Sequence, residues 1–182
     1  VFFIDANTGY VAGYSEGGGN GIILKTIDGG LTWDSLELDV YYLNSVFFTD
    51  INTGYVVGSV TYFNSKDGRS YNGIILKTID GGLTWDPLEL DVTYLNSVFF
   101  IDTNTGFAVG SKSFNYTKDG VNYNGIILKT IDGGLTWDPV CLDGGNFNSI
   151  HFLDNNTGYV SDSNSMFKTV DGGATWTNFL FL

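Results

Sequence analysis

The chain has 182 residues and a net charge of −12, with 20 acidic and only 8 basic side chains. This acidic balance argues against nucleic acids and anionic membrane surfaces as partners, because both are negatively charged themselves. No apolar run approaches the roughly 18 residues of a membrane span, so no transmembrane helix is predicted. The length suits one domain that buries about 70% of its unfolded surface.

The first elements of the chain are short apolar runs separated by turns. Val1–Ile4 precedes the turn Asn7–Tyr10 (Asn-Thr-Gly-Tyr), and a second apolar run follows. After a variable stretch come the run Gly-Ile-Ile-Leu-Lys-Thr, the turn Asp28-Gly-Gly, and a run beginning at Trp33. Runs of this kind, bounded by Asn, Asp and Gly, predict four strands, called a to d. Because the chain opens inside strand a, we expect a processed product or part of a longer protein.

The same unit recurs three more times. Lys25–Trp33 is repeated without change at Lys77–Trp85 and Lys129–Trp137, and with two changes at Lys168–Trp176. In the second unit the strands are predicted at Leu43–Thr49, Gly54–Phe63, Tyr71–Ile79 and Leu83–Leu90. Apolar residues do not recur at a helical spacing, so essentially no helix is expected.

Four such units predict an all-β fold, a β-propeller of four four-stranded antiparallel blades that forms a small ring or part of a larger propeller. Neighbouring strands joined by short turns pair as a meander. We expect the sheets to bury their apolar faces by stacking, with the tryptophans as fillers: Trp33, Trp85, Trp137 and Trp176. The single domain 1–182 would divide into blades at about 1–38, 43–90, 95–142 and 147–182.

The repeated turn, Thr-x-Asp-Gly-Gly-x-Thr-Trp, resembles the Asp-box, also called the bacterial neuraminidase repeat. The resemblance covers all four units and, with the Asn-Thr-Gly marker, extends to photosystem II assembly factors and to sortilin- and sialidase-type propellers. It implies a fold signature whose Asp accepts backbone hydrogen bonds and whose Trp packs between sheets. An Asp before Gly-Gly commonly bonds its own turn, which agrees. We therefore predict structural roles for Asp28, Asp80, Asp132 and Asp171, and for Asp5, Asp50, Asp102 and Asp154 before the other turn.

Residue content argues against an enzyme and against a cofactor. Sialidase chemistry, which the resemblance raises, needs three arginines; the chain has only Arg69, and lysine lacks the planar fork. The lone histidine, His151, is taken to replace Phe48 and Phe100 as a core or channel-lining residue. Structural calcium remains an alternative because its ligands are oxygens, but no copy has the spacing of a calcium loop.

Other single residues are interpreted as structural as well. Glu37 and Glu89 occupy equivalent positions in successive units, and Cys141 in the third unit is interpreted as a packing thiol. A fragment of a glycoside hydrolase propeller of the xyloglucanase kind is the alternative to a non-catalytic protein.

The stretch between strands b and c varies in length, which is tolerated only at an exposed tip. Two long hairpins are predicted, Ser59–Gly73 and Ser111–Gly125, with tight turns at Asp67-Gly68 and Asp119-Gly120. Their aromatic and basic side chains suit a sugar or a protein partner. The predicted ligand-binding residues are Tyr62, Phe63, Arg69, Tyr71, Phe114, Tyr116 and Tyr123. The alternative is that these side chains pack on a neighbouring blade and only extend the sheet.

The preferred hypothesis is an extracellular, cell-surface or periplasmic module, structural or adhesive, that binds a glycan or protein through these hairpins. A scaffold of the photosystem-assembly kind is a further alternative. The apolar end Phe179–Leu182 favours a covering partner, so self-association or additional blades are expected.

Overall fold

A computed structural model describes residues 1–15, 20–38, 42–64, 68–117, 120–140, 142 and 144–180, without the side chains of 62–64, 68–70, 114–117, 120–123 and 180. The described residues form sixteen strands and no helix. They make four four-stranded sheets, each an antiparallel meander in chain order. This confirms the predicted fold class, an all-β propeller architecture of four four-stranded blades. No segment in this part of the chain is both helical and apolar over the length a bilayer requires.

The first two sheets contain β1 (Phe2–Phe3), β2 (Gly9–Tyr14), β3 (Gly21–Thr26), β4 (Asp34–Leu38), β5 (Tyr42–Phe48), β6 (Gly54–Asn64), β7 (Gly68–Thr78) and β8 (Asp86–Leu90). The last two contain β9 (Tyr94–Phe100), β10 (Gly106–Thr117), β11 (Gly120–Thr130), β12 (Asp138–Val140), β13 (Ser149–Phe152), β14 (Gly158–Ser161), β15 (Ser165–Thr169) and β16 (Thr177–Leu180). In the second sheet β8 begins three residues later than predicted, because the Asp-Gly-Gly turn continues through Trp85.

The hairpins between strands b and c differ in length as the sequence predicts. The pair β6–β7 stays in register from its base out to Asn64 opposite Gly68, and β10–β11 pairs out to Thr117 opposite Gly120 with a β-bulge between Ser111 and Ser113. By contrast, β2 has 6 residues and β14 has 4. The two middle sheets therefore carry long paired hairpins. Asp67 and Asp119, predicted to start their tight turns, lie outside the described residues.

The chain divides into two compact units, Val1–Tyr94 and Leu95–Leu182. Unit 1 has a core built from its two sheets, with Tyr10, Ile23, Val46, Phe48 and Val56 among its buried members. Unit 2 has a separate core that includes Phe107, Val109, Ile127, Phe147, Ile150 and Phe152. Each unit is thus a pair of stacked sheets with its own apolar interior.

Stacked aromatic rings fill the junction between the two sheets of each unit. Tyr10 stacks on Phe48 with ring centroids 4.0 Å apart, and Phe107 stacks on Phe152 at 4.6 Å. The tryptophans meet the expected filler role only in part. Trp85 borders the unit 1 core, but its ring contact at 6.0 Å is with Phe48 of its own sheet, and Trp176 contacts Phe152 in the same way.

The structure corrects the interpretation of His151. Strand β13 aligns His151 with Phe47 and Phe99, whereas Phe152 takes the buried position of Phe48 and Phe100. Neighbouring strand positions face opposite sides of a sheet, so a shift of one residue changes the face. His151 is accordingly exposed, with its ring 4.9 Å from that of Phe99, and is not a core residue.

Candidate functional site

The two invariant turns lie together at one end of every sheet. The N–H of Gly29 donates to the carbonyl of Asn7 over 2.8 Å, which ties the Asp-Gly-Gly turn to the Asn-Thr-Gly turn. The same bond recurs in the other sheets as Gly81 to Asn52, Gly133 to Asn104 and Gly172 to Asn156. We call this the turn end. The opposite end, with the b–c hairpins and the d–a connectors, is the hairpin end.

Carboxylates at the turn end are occupied by their own turns. Oδ2 of Asp80 accepts the Thr84 hydroxyl at 2.6 Å, and Oδ1 accepts the Thr78 hydroxyl at 2.8 Å and the Thr84 N–H at 2.9 Å. The bond from the Thr84 hydroxyl has the largest effect, and together these bonds lower the pKa of Asp80 to about 2. Equivalent bonds lower the pKa of Asp28 and of Asp171 to about 2 and lower that of Asp132 as well. The predicted structural role of these four residues is confirmed.

The glycine pair completes the same turn. Gly81 and Gly82 have φ angles of +71° and +82°, a left-handed backbone that residues with a Cβ adopt at a cost. The turn is closed by the N–H of Gly82, which donates to the buried Thr78 hydroxyl over 2.9 Å. All four Gly-Gly pairs share this conformation. The turn is therefore specified locally, by Thr, Asp and two glycines.

Aspartates before the Asn-Thr-Gly turns act in a similar way. Oδ1 of Asp102 accepts the N–H groups of Thr105 and Asn104 at 2.7 Å each, and these bonds lower its pKa. Asp50 makes the same two bonds; burial raises its pKa, but the bonds outweigh burial and the net shift is downward. Asp5 and Asp154 repeat the arrangement. Their predicted structural role is also confirmed.

At the hairpin end of unit 1 the structure brings tyrosines together in pairs. Tyr71 lies 5.1 Å from Tyr94 between ring centroids, and Tyr14 lies 5.3 Å from Tyr42 in an edge-to-face contact. Tyr14 is 60% exposed. Sequence reasoning selected only Tyr71 from this group. The motif Tyr-Leu-Asn-Ser, present at both connectors as 42–45 and 94–97, could have identified two of the others.

Exposed acids lie at the same end of unit 1. Glu37 and Glu89 lie near the last residues of β4 and β8, opposite Ile22 and Ile74, and Asp91 follows in the connector. Among the described side chains at this end of unit 1, these are the charged ones. A ligand bound here would meet negative charge, which favours a cationic partner.

The remaining predicted binding residues belong to the outer hairpins. Tyr62 and Phe63 lie on β6, Arg69 on β7, Phe114 and Tyr116 on β10, and Tyr123 on β11. Phe63 pairs with Arg69 and Phe114 with Tyr123 along the backbone. Their side chains lie outside the described part of the chain, as does Cys141, so their binding role stays a prediction.

The hairpin end of unit 2 holds a cleft of about 450 Å³. It is lined by Lys112, Asn124, Gly125, Ile126, Pro139, Val140, Leu142 and Gly144. The connector is held against the hairpin base, because the N–H of Gly125 donates to the Gly144 carbonyl over 2.9 Å. A Cβ at Gly125 would lie only 2.3 Å from the Gly145 carbonyl oxygen. This close approach fixes one wall of the cleft.

Buried hydroxyls differ between the long hairpins. Ser111 sits at a β-bulge, where its Oγ lies 2.9 Å from the Ser113 carbonyl oxygen. Ser59 and Thr61 on β6 are buried, and their hydroxyls have no hydrogen-bond partner within the described residues. Buried polar groups are normally paired, so the base of the β6–β7 hairpin has unused hydrogen-bonding capacity.

A second cleft, of about 320 Å³, lies in unit 1 beside the sheet junction and is lined by Ile23, Lys25, Ile27, Asp34, Ser35, Leu36, Gly82 and Leu83. Across the described ranges, no three His, Cys, Asp or Glu side chains are placed to hold one metal ion.

The fold defines a protein of the β-propeller class. No protein-family profile matches the chain, and no curated protein matches its sequence. Among solved structures it is similar to YCF48 bound to a D1 peptide, with a TM-score of 0.63 and 23% identity over 97% of this chain and 52% of that one. It is also similar to a protein of unknown function from Dyadobacter fermentans, with a TM-score of 0.61 and 15% identity over 99% of this chain and 71% of that one.

A GH74 enzyme from Niastella koreensis reaches a TM-score of only 0.40 at 15% identity, over 98% of this chain and 41% of that one, which is too low for any inference. At these identities the similarities show the fold alone. The chain spans about half the length of the YCF48 chain.

Proposed function

We propose that this chain is a non-catalytic β-propeller that binds an extended, basic polypeptide segment at the hairpin end of unit 1. The observation that carries the proposal is the pair of tyrosine contacts, Tyr14 with Tyr42 and Tyr71 with Tyr94, at the same end of unit 1 as three exposed acids. Tyrosine combines a large apolar ring with a polar tip and is enriched at the energetic centres of protein interfaces. The similar YCF48 structure contains a bound peptide, which supports a protein rather than a small-molecule ligand.

Exposed acids at this end of unit 1 favour a positively charged ligand. Glu37, Glu89 and Asp91 are exposed at the same end of unit 1 as the tyrosines, and the whole chain carries −12. Complementary charge accelerates encounter and rejects acidic competitors, so a basic segment is favoured.

The non-catalytic part of the proposal rests on how the carboxylates are used. The eight aspartates that precede the two kinds of turn accept hydrogen bonds from their own turns, which lower their pKa values and hold them ionised. Ionised carboxylates bound in this way are poor general acids, because a general acid needs a pKa near the working pH. We further propose that the Asp-Gly-Gly turns are Asp-boxes and that the protein acts outside the cell or in the periplasm.

Synthetic peptide arrays test the proposal directly. The purified chain is applied to basic, neutral and acidic peptides of equal length and aromatic content, and to a glycan array in parallel. We expect selective binding of basic peptides that weakens at high salt. Tyr14→Ala and Tyr71→Ala should reduce that binding at least tenfold, as truncation of a buried interface tyrosine typically does. Leu135→Ala at the turn end, where Leu135 is 71% exposed, is the matched control.

Three outcomes would contradict it. Binding to glycans but to none of the peptides would mean that the ligand is a glycan. Peptide binding that survives both tyrosine variants would mean that the peptide binds elsewhere on the protein. Hydrolysis of an oligosaccharide by the chain would overturn the non-catalytic assignment.

A further inference from the structure

Two of the four outermost strands carry a proline at the same position. Pro87 in β8 lies opposite Leu76, and Pro139 in β12 lies opposite Leu128. Because proline has no N–H, this position is one whose backbone groups point away from the neighbouring strand and toward the edge of the sheet. A proline there withholds the donor that an added strand would need. The edges of the second and third sheets are therefore protected against strand addition at this point.

Strand β4 of the first sheet lacks this protection. The residue equivalent to Pro87 is Ser35, opposite Leu24, and β4 is an edge strand of its sheet. The backbone N–H and C=O of Ser35 therefore point outward, as do those of Glu37 two residues further on, because the hydrogen-bonding direction alternates along a strand. Asn178 takes the same position in β16, but Ser35 is the one of the two that lines the unit 1 cleft.

The cleft of about 320 Å³ runs beside this edge. Its lining includes Leu36 of β4 and, from the turn of the second sheet, Gly82 and Leu83. Leu83 is 72% exposed and Ile27, which also lines the cleft, is 69% exposed. Exposed large aliphatic side chains that cluster around a cleft are typical of an interaction site. All the lining residues belong to unit 1, so the two sheets of this unit are sufficient to form the cleft.

The alternation of side chains along β4 defines what an added strand would present to this cleft. Leu36 is paired with Ile23 and Asp34 with Lys25, and all four residues line the cleft, so Leu36 and Asp34 face the same side of the sheet. In a strand added beyond β4, the residue beside Leu36 would lie over the cleft and the residue two positions away would lie beside Asp34. An aliphatic side chain suits the first position. A lysine or arginine suits the second, because the Asp34 side chain is exposed.

We propose that an extended, basic segment of a partner protein adds to β4 as a fifth strand, forms backbone hydrogen bonds with Ser35 and Glu37, and inserts an aliphatic side chain into the cleft. Strand addition takes its affinity from main-chain hydrogen bonds and its specificity from pockets for alternate side chains, and β4 with its cleft offers both. A second copy is disfavoured as the occupant, because its β4 would bring a second Asp34 and Glu37 and each chain carries −12. The inference goes beyond the peptide binding proposed above, since it uses neither tyrosine pair of the hairpin end.

Synthetic peptides of seven residues test the proposal. One pool has an aliphatic residue at the third position and lysine or arginine at the fifth, with threonine elsewhere because threonine favours strands. A matched pool has the same two residues adjacent, which places them on opposite faces of a strand. Fluorescence anisotropy with the 182-residue chain measures binding, and we expect the first pool to bind about tenfold more tightly. Amide exchange at Ser35 and Glu37 should slow when the first pool is bound.

Ser35→Pro copies the residue that the next two sheets carry, so it should fold with a thermal midpoint like that of the unaltered chain. It should weaken binding of the first pool about tenfold or more, because it removes one donor and places a ring at the edge. Ser35→Ala keeps the N–H and is the matched control, which should bind like the unaltered chain. Leu83→Ser should also weaken binding, whereas Leu135→Ser, at the equivalent turn position in unit 2 and 71% exposed, should not.

N-methylated peptides test the backbone bonds without changing the protein. Methyl groups on one alternate set of peptide nitrogens should abolish binding and those on the other set should not, because only one set faces β4. Binding that survives both methylations, or that Ser35→Pro leaves unchanged, would overturn the proposal, as would no binding of the first pool at millimolar concentration. Loss of this binding in Tyr14→Ala would place the peptide at the hairpin end instead. Dimers of twice 19.9 kDa that Ser35→Pro abolishes would mean that a second copy occupies the edge.

Discussion

Lys25 donates a hydrogen bond from Nζ to the carbonyl oxygen of Gly81 over 2.8 Å, although the two residues are 56 positions apart in the chain. The buried Tyr10 hydroxyl donates to the same oxygen over 2.7 Å. Burial, and after it the charge of Asp80, raises the pKa of Tyr10, so this hydroxyl stays a donor. One turn carbonyl therefore fastens the second sheet of unit 1 to the first.

Tyr10→Phe should lower the free energy of unfolding by about 1 kcal/mol, because a buried carbonyl loses one of its two donors. Phe107 at the equivalent position in unit 2 shows that the ring alone still stacks. Guanidinium denaturation measures the change. Tyr159→Phe is the matched control and should change stability by less than about 0.5 kcal/mol; equal losses in both variants would contradict a role for the hydroxyl.

Lys25→Met should cost roughly 1–2 kcal/mol of stability, since a charged donor to Gly81 is lost while most of the side-chain volume remains. The same change at Lys168, which donates to no turn carbonyl in the described structure, should cost much less in the monomer. Denaturation of both variants at low protein concentration gives the comparison. If Lys168→Met were as destabilising as Lys25→Met, the hydrogen bond would not be the cause.

Gly81→Ala should destabilise the protein by about 1–2 kcal/mol, because an L-residue with a Cβ is strained at φ +71°. Gly13→Ala is a suitable comparison. A Cβ there would meet its nearest atom, on Ile22, at 4.0 Å, and Gly13 has no positive φ. That substitution in strand β2 should be neutral or slightly stabilising. Thermal unfolding of both variants tests whether the turn conformation, and not glycine removal itself, sets the cost.

Stability should fall as the pH drops from about 4 to 2. Asp28, Asp80 and Asp171 have pKa values of about 2 in the folded chain, against an ordinary value of 3.8. The unfolded chain therefore binds more protons in this range, and their contribution, complete above the ordinary value, is lost on acidification. Denaturation midpoints measured at several pH values should show this decline.

Asp80→Asn should flatten that decline, because one depressed carboxylate no longer titrates. Asp34→Asn replaces an exposed carboxylate outside the turns and serves as the control. An acid transition unchanged by Asp80→Asn would mean that other groups govern it.

Phe147→Ala should cost about 3–5 kcal/mol, the usual range for emptying a fully buried phenylalanine site. Phe147 is completely buried, contacts Phe167 edge to face, and would clash with a Cβ at Gly125 or Gly144. Its loss should also loosen the connector that walls the unit 2 cleft. Amide exchange at Gly125, whose N–H bonds to Gly144, reports that loosening; fast exchange in the unaltered chain would contradict a fixed wall.

The sequence is enough to predict the turns and the fold class because both depend on residues that are close together in the chain. Thr, Asp and two glycines within one turn provide every donor, acceptor and positive φ it needs, so the repeat identifies it. Strand number and hairpin length follow from the spacing between turns. The structural role of the aspartates could be predicted in the same way, because their hydrogen-bond partners lie within the same turn.

What fills the junctions and lines the candidate site could not be predicted in the same way. The repeated tryptophan draws attention, yet Tyr10 packs against a sheet whose turn lies about 70 residues later, and no local pattern encodes that choice. The error at His151 came from an alignment shifted by one residue, which in a strand exchanges the two faces. Tyr14 and Tyr42 belong to neighbouring sheets of unit 1, and only the stacking of those two sheets brings them together.

Identical turns also have a kinetic consequence. Residues 25–33, 77–85 and 129–137 have one sequence, so Tyr10 and Lys25 cannot distinguish the turn that they bind from the same turn in another sheet. During refolding, pairing with the wrong turn would be as favourable locally as pairing with the right one, a recognised source of misassembly in repeat proteins. The correct order must then be favoured by the segments outside these turns, which differ in length and sequence. Shuffled intermediates should therefore accumulate when the chain refolds rapidly or at high concentration.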